Sequence, residues 1–369
     1  MLTQAPALID LKLALVTAAD EALTRGPYSV IDKQTLPPSG DVHDYFHPAP
    51  YFWPNPDTRD GLPYVMRDGM RVPGTVMYEP ESERYDRTRL QRVFDDTRVL
   101  CLACRETGER RYLDHARAIL VRFFVDPATR MTRHLKYAQV RAGHNQNMGS
   151  ATGLIEMKDL YFYLKATQTL IRSGLLTSRE IQEFRSWLTS YLNWLLKSKQ
   201  GVAECQARNN HGIYYDLQVS AIAIAIGDFA ALKTTLLRAV ARMPQHFAPD
   251  GSQPHELARE TSQHYCCFNL QGWIHIAEIA KGYGLDLWEY QAPNGANLRN
   301  AARWLIDLAD KEWPYRQIDE FDHDRYVPIW YAAVENGTDL APLAVHPEKN
   351  TAKPLFHPHD GIKPFWQLP

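Results

Sequence analysis

From residue 88 onward apolar side chains return every three or four positions, the period of a helix that buries one face. Phe184, Trp187, Leu188, Tyr191, Leu192 and Leu195 follow this rule and mark one broad apolar stripe. Thr177-x-x-Glu180 opens that helix as a capping box, each side chain satisfying a backbone N–H of the first turn. Similar stripes run through Tyr112, Ala116, Leu120 and Phe123 to Asp126-Pro127, and through residues 155–170, 217–226, 268–280 and 298–308. Residues 1–20 carry Asp10, Lys12 and Asp20 among apolar positions and read as an amphipathic helix. Alternating runs bounded by turn residues are scarce. The pattern therefore predicts an all-α fold of stacked antiparallel helical hairpins joined by short Gly-, Pro- and Asp-containing turns.

Residues 37–85 break the pattern. Pro37-Pro38-Ser39-Gly40, His47-Pro48-Ala49-Pro50, Trp53-Pro54-Asn55-Pro56 and Asp60-Gly61-Leu62-Pro63 exclude a helix there. A long irregular segment rich in Tyr45, Phe46, Tyr51, Phe52, Trp53 and Tyr64 is expected to be ordered and functional. The tail after about residue 337 is again rich in Pro and His. No composition shift divides the chain, so residues 1–369 read as one domain.

Composition narrows the function. Lys and Arg number 41 against 43 Asp and Glu, a net charge of −2, which argues against a general nucleic-acid binder with a broad basic face. No apolar run is long enough to span a bilayer, and the first residues lack the unbroken apolar centre of a secretory leader. The expected location is periplasmic or secreted if a leader was removed, and otherwise cytoplasmic. Five cysteines, including Cys101-x-x-Cys104 inside a helical pattern, read as small apolar fillers. His43, His47, His357 and His359 are the metal ligands to consider, but no HExxH or paired Cys/His spacing supports a metal site.

Three stretches place polar groups where a core would not want them. Arg208-Asn209-Asn210-His211-Gly212 opens an apolar helix, where unpaired N–H donors and the helix dipole favour an anion, although Asn-Asn also serves as a plain cap. Pro249-Asp250-Gly251 is a turn, followed by Glu256, Arg259, His264 and Tyr265; an i, i+3 ion pair between Glu256 and Arg259 would account for part of it. Tyr51-Phe52-Trp53-Pro54-Asn55-Pro56 offers flat aromatic faces for sugar rings, or a plug over one end of the helical array.

One reaction uses all three. Removing the C5 proton of a uronic acid requires the adjacent carboxylate to be neutralised, which Asn210 and Arg259 can do with amide and guanidinium donors. A base for C5 and an acid for O4 are then needed, and Tyr and His are the available types. β-Elimination follows, leaving an unsaturated uronate.

At these residues the chain resembles the alginate lyase family of polysaccharide lyases. The resemblance runs from Asp41 to Trp288, through His43-Asp44-Tyr45, Asp60-Gly61-Leu62-Pro63-Tyr64, Tyr137-Ala138-Gln139, Asn209-Asn210-His211-Gly212 and Asp250-Gly251-Ser252-Gln253-Pro254. It ends in Glu256-Leu257-Ala258-Arg259 with His264-Tyr265. It implies an all-α, incomplete (α/α) toroid, no cofactor and no metal, and an anionic polysaccharide as partner for a monomer or weak homo-oligomer. It also implies that Asn210, His211, Arg259 and Tyr265 are catalytic, with Trp53, Tyr51, Asn209, His264, Tyr215, Gln139 and Glu256 binding substrate. The interval from Arg259 to Tyr265 is one residue shorter than in the best-known members, so Tyr214 and Tyr215 stand as alternative proton carriers. Mannuronate and glucuronate carry the C5 hydrogen and O4 on one ring face, which a single tyrosine can serve; guluronate needs a second base, His211. The alternatives are a glycoside hydrolase, for which Glu256 and Asp250 would be the carboxyl pair, and a non-catalytic polysaccharide-binding protein.

Overall fold

The computed structural model describes residues 8–75, 81–341 and 343. These fall into two compact units, one up to Gly201 and one from Val202, at a point where composition gave no boundary. Residues 1–7 of the expected first helix, residues 76–80 of the irregular segment, and the tail with His357 and His359 lie outside the described residues.

The first unit contains α1 (Leu8–Leu23), α2 (Arg87–Thr107), α3 (Arg110–Leu120), α4 (Leu160–Arg172) and α5 (Ser178–Lys197). Helix α2 packs against α1, α3 and α4. It ends at Gly108, whose φ of 75° supplies the left-handed cap that turns the chain into α3. The capping box at α5 forms as expected, with the Glu180 N–H donating to Thr177 Oγ1 at 3.2 Å and the Thr177 N–H donating to Glu180 Oε2 at 2.8 Å. The whole predicted stripe of α5 is buried. Phe124 meets its Trp187 ring at 4.7 Å, and also contacts Phe184 and Tyr163. The stripe over 155–170 is interrupted: a 3-10 turn covers Ala151–Met157, and α4 begins at Leu160. Side chains at the break are engaged elsewhere, Glu156 by Tyr45 and His47, and Asp159 by Lys158 and Gln91.

The irregular segment is fixed by two small sheets. Strand β1 (Phe46–Pro48) pairs in parallel with β4 (Tyr137–Val140), and β2 (Phe52–Trp53) pairs antiparallel with β3 (Val65–Met66).

Helix α6 (Lys199–Cys205) carries the chain into the second unit. There follow α7 (Asn210–Ile226), α8 (Phe229–His246), the short α9 (Pro254–Leu257), α10 (Ser262–Gly282), α11 (Leu298–Ile306) and α12 (Tyr326–Glu335). Gly227-Asp228 is the whole link between α7 and α8, so the two form a hairpin, and α7 packs on α10 as well. Helix α7 starts seven residues before its apolar stripe and α10 starts six before, because polar residues in both first turns are buried by tertiary contacts.

Candidate active site

Four sequence-selected residues, Asn210, His211, Arg259 and Tyr265, lie in the second unit at the starts of α7 and α10 and just after α9. The corner between α6 and α7 leaves backbone carbonyls without helical partners. Arg242 of α8 takes them, donating Nη2 to Cys205 O at 2.8 Å and Nη1 to Ala207 O at 2.6 Å. Its Nε donates to Asp216 Oδ2 at 3.0 Å, and Arg238 Nε donates to Asp216 Oδ1 at 2.7 Å. Burial raises the Asp216 carboxyl above its ordinary range, while the two guanidiniums pull it back. This brace explains the glycine of Asn-His-Gly. A Cβ at Gly212 would stand 2.3 Å from both Ala207 O and Arg242 Nη1. Gly212→Ala is accordingly expected to lower stability by about 1–3 kcal/mol through displacement of Arg242. An unchanged denaturation midpoint would refute that role for the glycine.

The corner sets the next two residues. His211 Nδ1 lies 2.6 Å from Oε1 of buried Glu204, so the Nδ1–H donates to the carboxylate and Nε2 keeps its lone pair. The His211 side chain is 15% exposed. Asn210 is fully buried. Its backbone N–H donates to Glu256 Oε1 at 2.6 Å and its Nδ2 to Oε2 at 2.7 Å, leaving Oδ1 without a partner. Asn209 is the N-cap residue but makes no side-chain cap bond.

Glu256 is the hub of the cluster. Burial pushes its carboxyl up to about 7, opposed by the two Asn210 donors, by the positive charge of Arg259 and by the neighbouring His211. The i, i+3 ion pair expected with Arg259 is thus not its main contact; Asn210, far away in sequence, is. Sign follows from the shift. The folded state holds this proton more tightly than an unfolded glutamate of pKa ~4.3, so the stability from the neutral form is lost as pH rises through about 7. Raising pH from about 5 to about 8 should weaken the wild type relative to Glu256→Gln, by up to ~3 kcal/mol. Parallel pH profiles for the two proteins would refute it.

Arg259 and Tyr265 are in direct contact, with the guanidinium carbon 3.7 Å from the ring centroid. Tyr265 is 8% exposed and meets His264 edge-on at 5.2 Å. His264 stacks on Phe268, and Phe268 stacks on Tyr214 at 4.2 Å. Tyr214 donates its hydroxyl to Phe268 O at 3.0 Å. Tyr215 is buried with Arg238 over its ring, and burial drives its phenol far up. Gln253 fixes α9 to α10 by donating to Cys266 O and accepting from Asn269.

Tyr51, Trp53 and Gln139 belong to the first unit. Trp53 donates Nε1 to Met70 O at 2.9 Å, and Arg67 lies 4.3 Å over its ring, so one of the faces offered to sugar is covered by a guanidinium. The Tyr51 carbonyl accepts from the Arg67 N–H at 2.8 Å. Gln139 sits at a φ of 50° and accepts from Thr152, which also bonds Arg141 above the Phe52 ring. Glu204, Asp216, Arg242, Arg67 and Arg141 carry no signal in the sequence: Asp216 and Arg242 pair across 26 residues, and Glu204 meets His211 across the corner between two helices. The glycine after His211 was the one local signal of a close neighbour. Of the histidines considered for a metal, His43 bonds Arg130 O and His47 bonds Glu156.

Residues 29–313 match the family model described as alginate lyase. The chain belongs to the alginate lyase family. A solved structure of an alginate lyase from Bacteroides ovatus is 32% identical, with 90% of this chain and 87% of that one aligned at a TM-score of 0.84. A histidine-to-alanine variant of alginate lyase A1-III, complexed with a tetrasaccharide, shares the fold at 16% identity, over 83% of this chain and 82% of that one, with a TM-score of 0.50. Among curated proteins none matches the sequence. The all-α fold read from periodicity is the fold of these lyases, and the protein is a polysaccharide lyase. Among the described residues no helix is long and apolar enough to cross a membrane.

Proposed function

We propose that this lyase cleaves alginate at mannuronate residues by β-elimination, with Tyr265 carrying the proton and Arg259 holding the substrate carboxylate. The observation that carries the reading is the 3.7 Å contact between the Arg259 guanidinium and the Tyr265 ring. A cation on the ring face attracts the negative charge that spreads over a phenol losing its proton. The same guanidinium offers planar N–H donors to a carboxylate, which gains further charge as C5 is deprotonated. The C5–H bond breaks, C4=C5 forms, the C4–O4 bond breaks, and the proton ends on O4. No water is consumed.

His211, with Nδ1 tied to Glu204, presents Nε2 as the base for guluronate, whose C5 hydrogen lies on the other face. Asn210 takes a different place from that expected. Its backbone N–H and one of its two Nδ2 hydrogens are taken by Glu256, so a substrate carboxylate engages Arg259 first and finds at Asn210 only the second Nδ2 hydrogen. The 32% identity to an alginate lyase supports the choice of substrate.

A panel of polymannuronate, polyguluronate, glucuronan and hyaluronan, followed by the ultraviolet absorbance of the new C=C–carboxylate, tests the proposal. The expected result is fastest product formation on polymannuronate. Faster turnover of glucuronan would overturn the substrate, and new reducing ends without absorbance would overturn the chemistry.

A further inference from the structure

The motif Trp313-Pro314-Tyr315 repeats, near the far end of the chain, the aromatic–proline signature of Trp53-Pro54, and no catalytic role absorbs it. With Trp304 it forms a cluster of three rings. Trp304 and Trp313 lie 6.1 Å apart, Trp313 and Tyr315 5.4 Å, and Trp304 and Tyr315 6.1 Å. The core of α11 does not need them: its buried stripe is Leu298, Ala301, Ala302, Leu305 and Ile306, and Trp304 stands off it. Trp304 and Trp313 are half-buried and Tyr315 is 43% exposed, so the rings cover one another and still face water.

The cluster is held rigidly against the start of α10. Trp313 Nε1 donates to Ser262 Oγ at 2.9 Å, and Ser262 Oγ in turn donates to Arg316 O at 2.6 Å. The N–H of Ser262 also donates to Arg316 O, that of Gln263 to Gln317 Oε1, and that of Ile318 to Glu260 O, each at 3.1 Å. Pro314 fixes one backbone angle between the two aromatics. Such a preset surface loses little freedom when it binds. Arg316, next to Tyr315, is anchored by Glu260 yet keeps 69% of its side chain exposed. The next two residues of α10 after Ser262 and Gln263 are His264 and Tyr265.

We infer that Trp304, Trp313 and Tyr315 form a second sugar-binding platform, which takes a uronate residue of the polysaccharide away from the bond being cleaved. This rests on the proposed polyuronate substrate. The apolar C–H face of a pyranose stacks on the exposed aromatic surface, and the Arg316 guanidinium attracts its carboxylate. One rigid helix start then holds both the platform and Tyr265, so a long chain engages two points at once and gains from their linkage. A short oligosaccharide cannot.

The test compares Tyr315→Ala and Trp304→Ala with wild type on long polymannuronate and on the shortest oligosaccharide cleaved. The expected result is a KM for polymer raised about tenfold, with kcat and the short-substrate kcat/KM unchanged. An unchanged polymer KM, or an equal defect on both substrates in a variant with wild-type near-ultraviolet circular dichroism, would overturn it. Calorimetric titration with polymannuronate, using a neutral glucan as control, reads binding without turnover. Weaker polymer binding by Tyr315→Ala supports the platform even if no unsaturated product forms, whereas equal affinity overturns it. Self-association that disappears in Tyr315→Ala would assign the surface to a second copy of the chain and overturn it as well.

Discussion

Tyr265→Phe is expected to lower kcat by about 10³-fold or more while leaving polymannuronate affinity within a few-fold, as loss of a proton carrier does. The substitution removes one oxygen and nothing else. The ring stays 8% exposed between Arg259 and His264, so packing and the cation–ring contact survive. The two alternative tyrosines are engaged elsewhere: the Tyr214 hydroxyl donates to Phe268 O, and Tyr215 is buried beside the Asp216 brace. Measurement of kcat by absorbance and of affinity by calorimetry separates the two effects. Turnover within tenfold of wild type would transfer the proton-carrying role to His211.

Arg259→Ala should reduce kcat/KM by about 10²–10³-fold on the free acid, because a donor aimed at developing negative charge counts for more in the transition state than in the ground state. The loss should nearly vanish on a uronate methyl ester, which has no charge to neutralise; an equal defect on both substrates would defeat the assignment. Arg259→Lys should recover little, since an ammonium lacks the planar fork that lies over the ring and meets a carboxylate along two bonds. Arg259→Ala also removes a positive charge that holds the Glu256 carboxyl down, so in that variant the group should titrate above its value of about 7.

Local signals in the chain proved legible. Thr177 and Glu180 announced the start of α5, and its stripe from Phe184 to Leu195 is buried as a whole. Asn209-Asn210 marks a helix opening, and α7 begins there. The chemistry of the cluster was legible as residue types, an amide, an imidazole, a guanidinium and a phenol close to turns. Partner choice was not. Glu256 had a plausible neighbour three residues on, yet its carboxyl went to Asn210; Arg259 went to the Tyr265 ring; Trp53 received Arg67 on one face.

The sequence by itself determined the helical class, several of the helix starts and the kind of reaction, because these depend on periodicity, caps and side-chain functional groups that act within a few residues. Tertiary structure alone decided that Glu204 orients His211, that Arg242 and Asp216 brace the corner behind Gly212, and that Glu256 gathers Asn210 beside Arg259 and His211. The reason is physical. A buried polar group must find a partner, and which one it finds is set by whichever element the fold lays beside it, a distance through space that spacing along the chain does not encode.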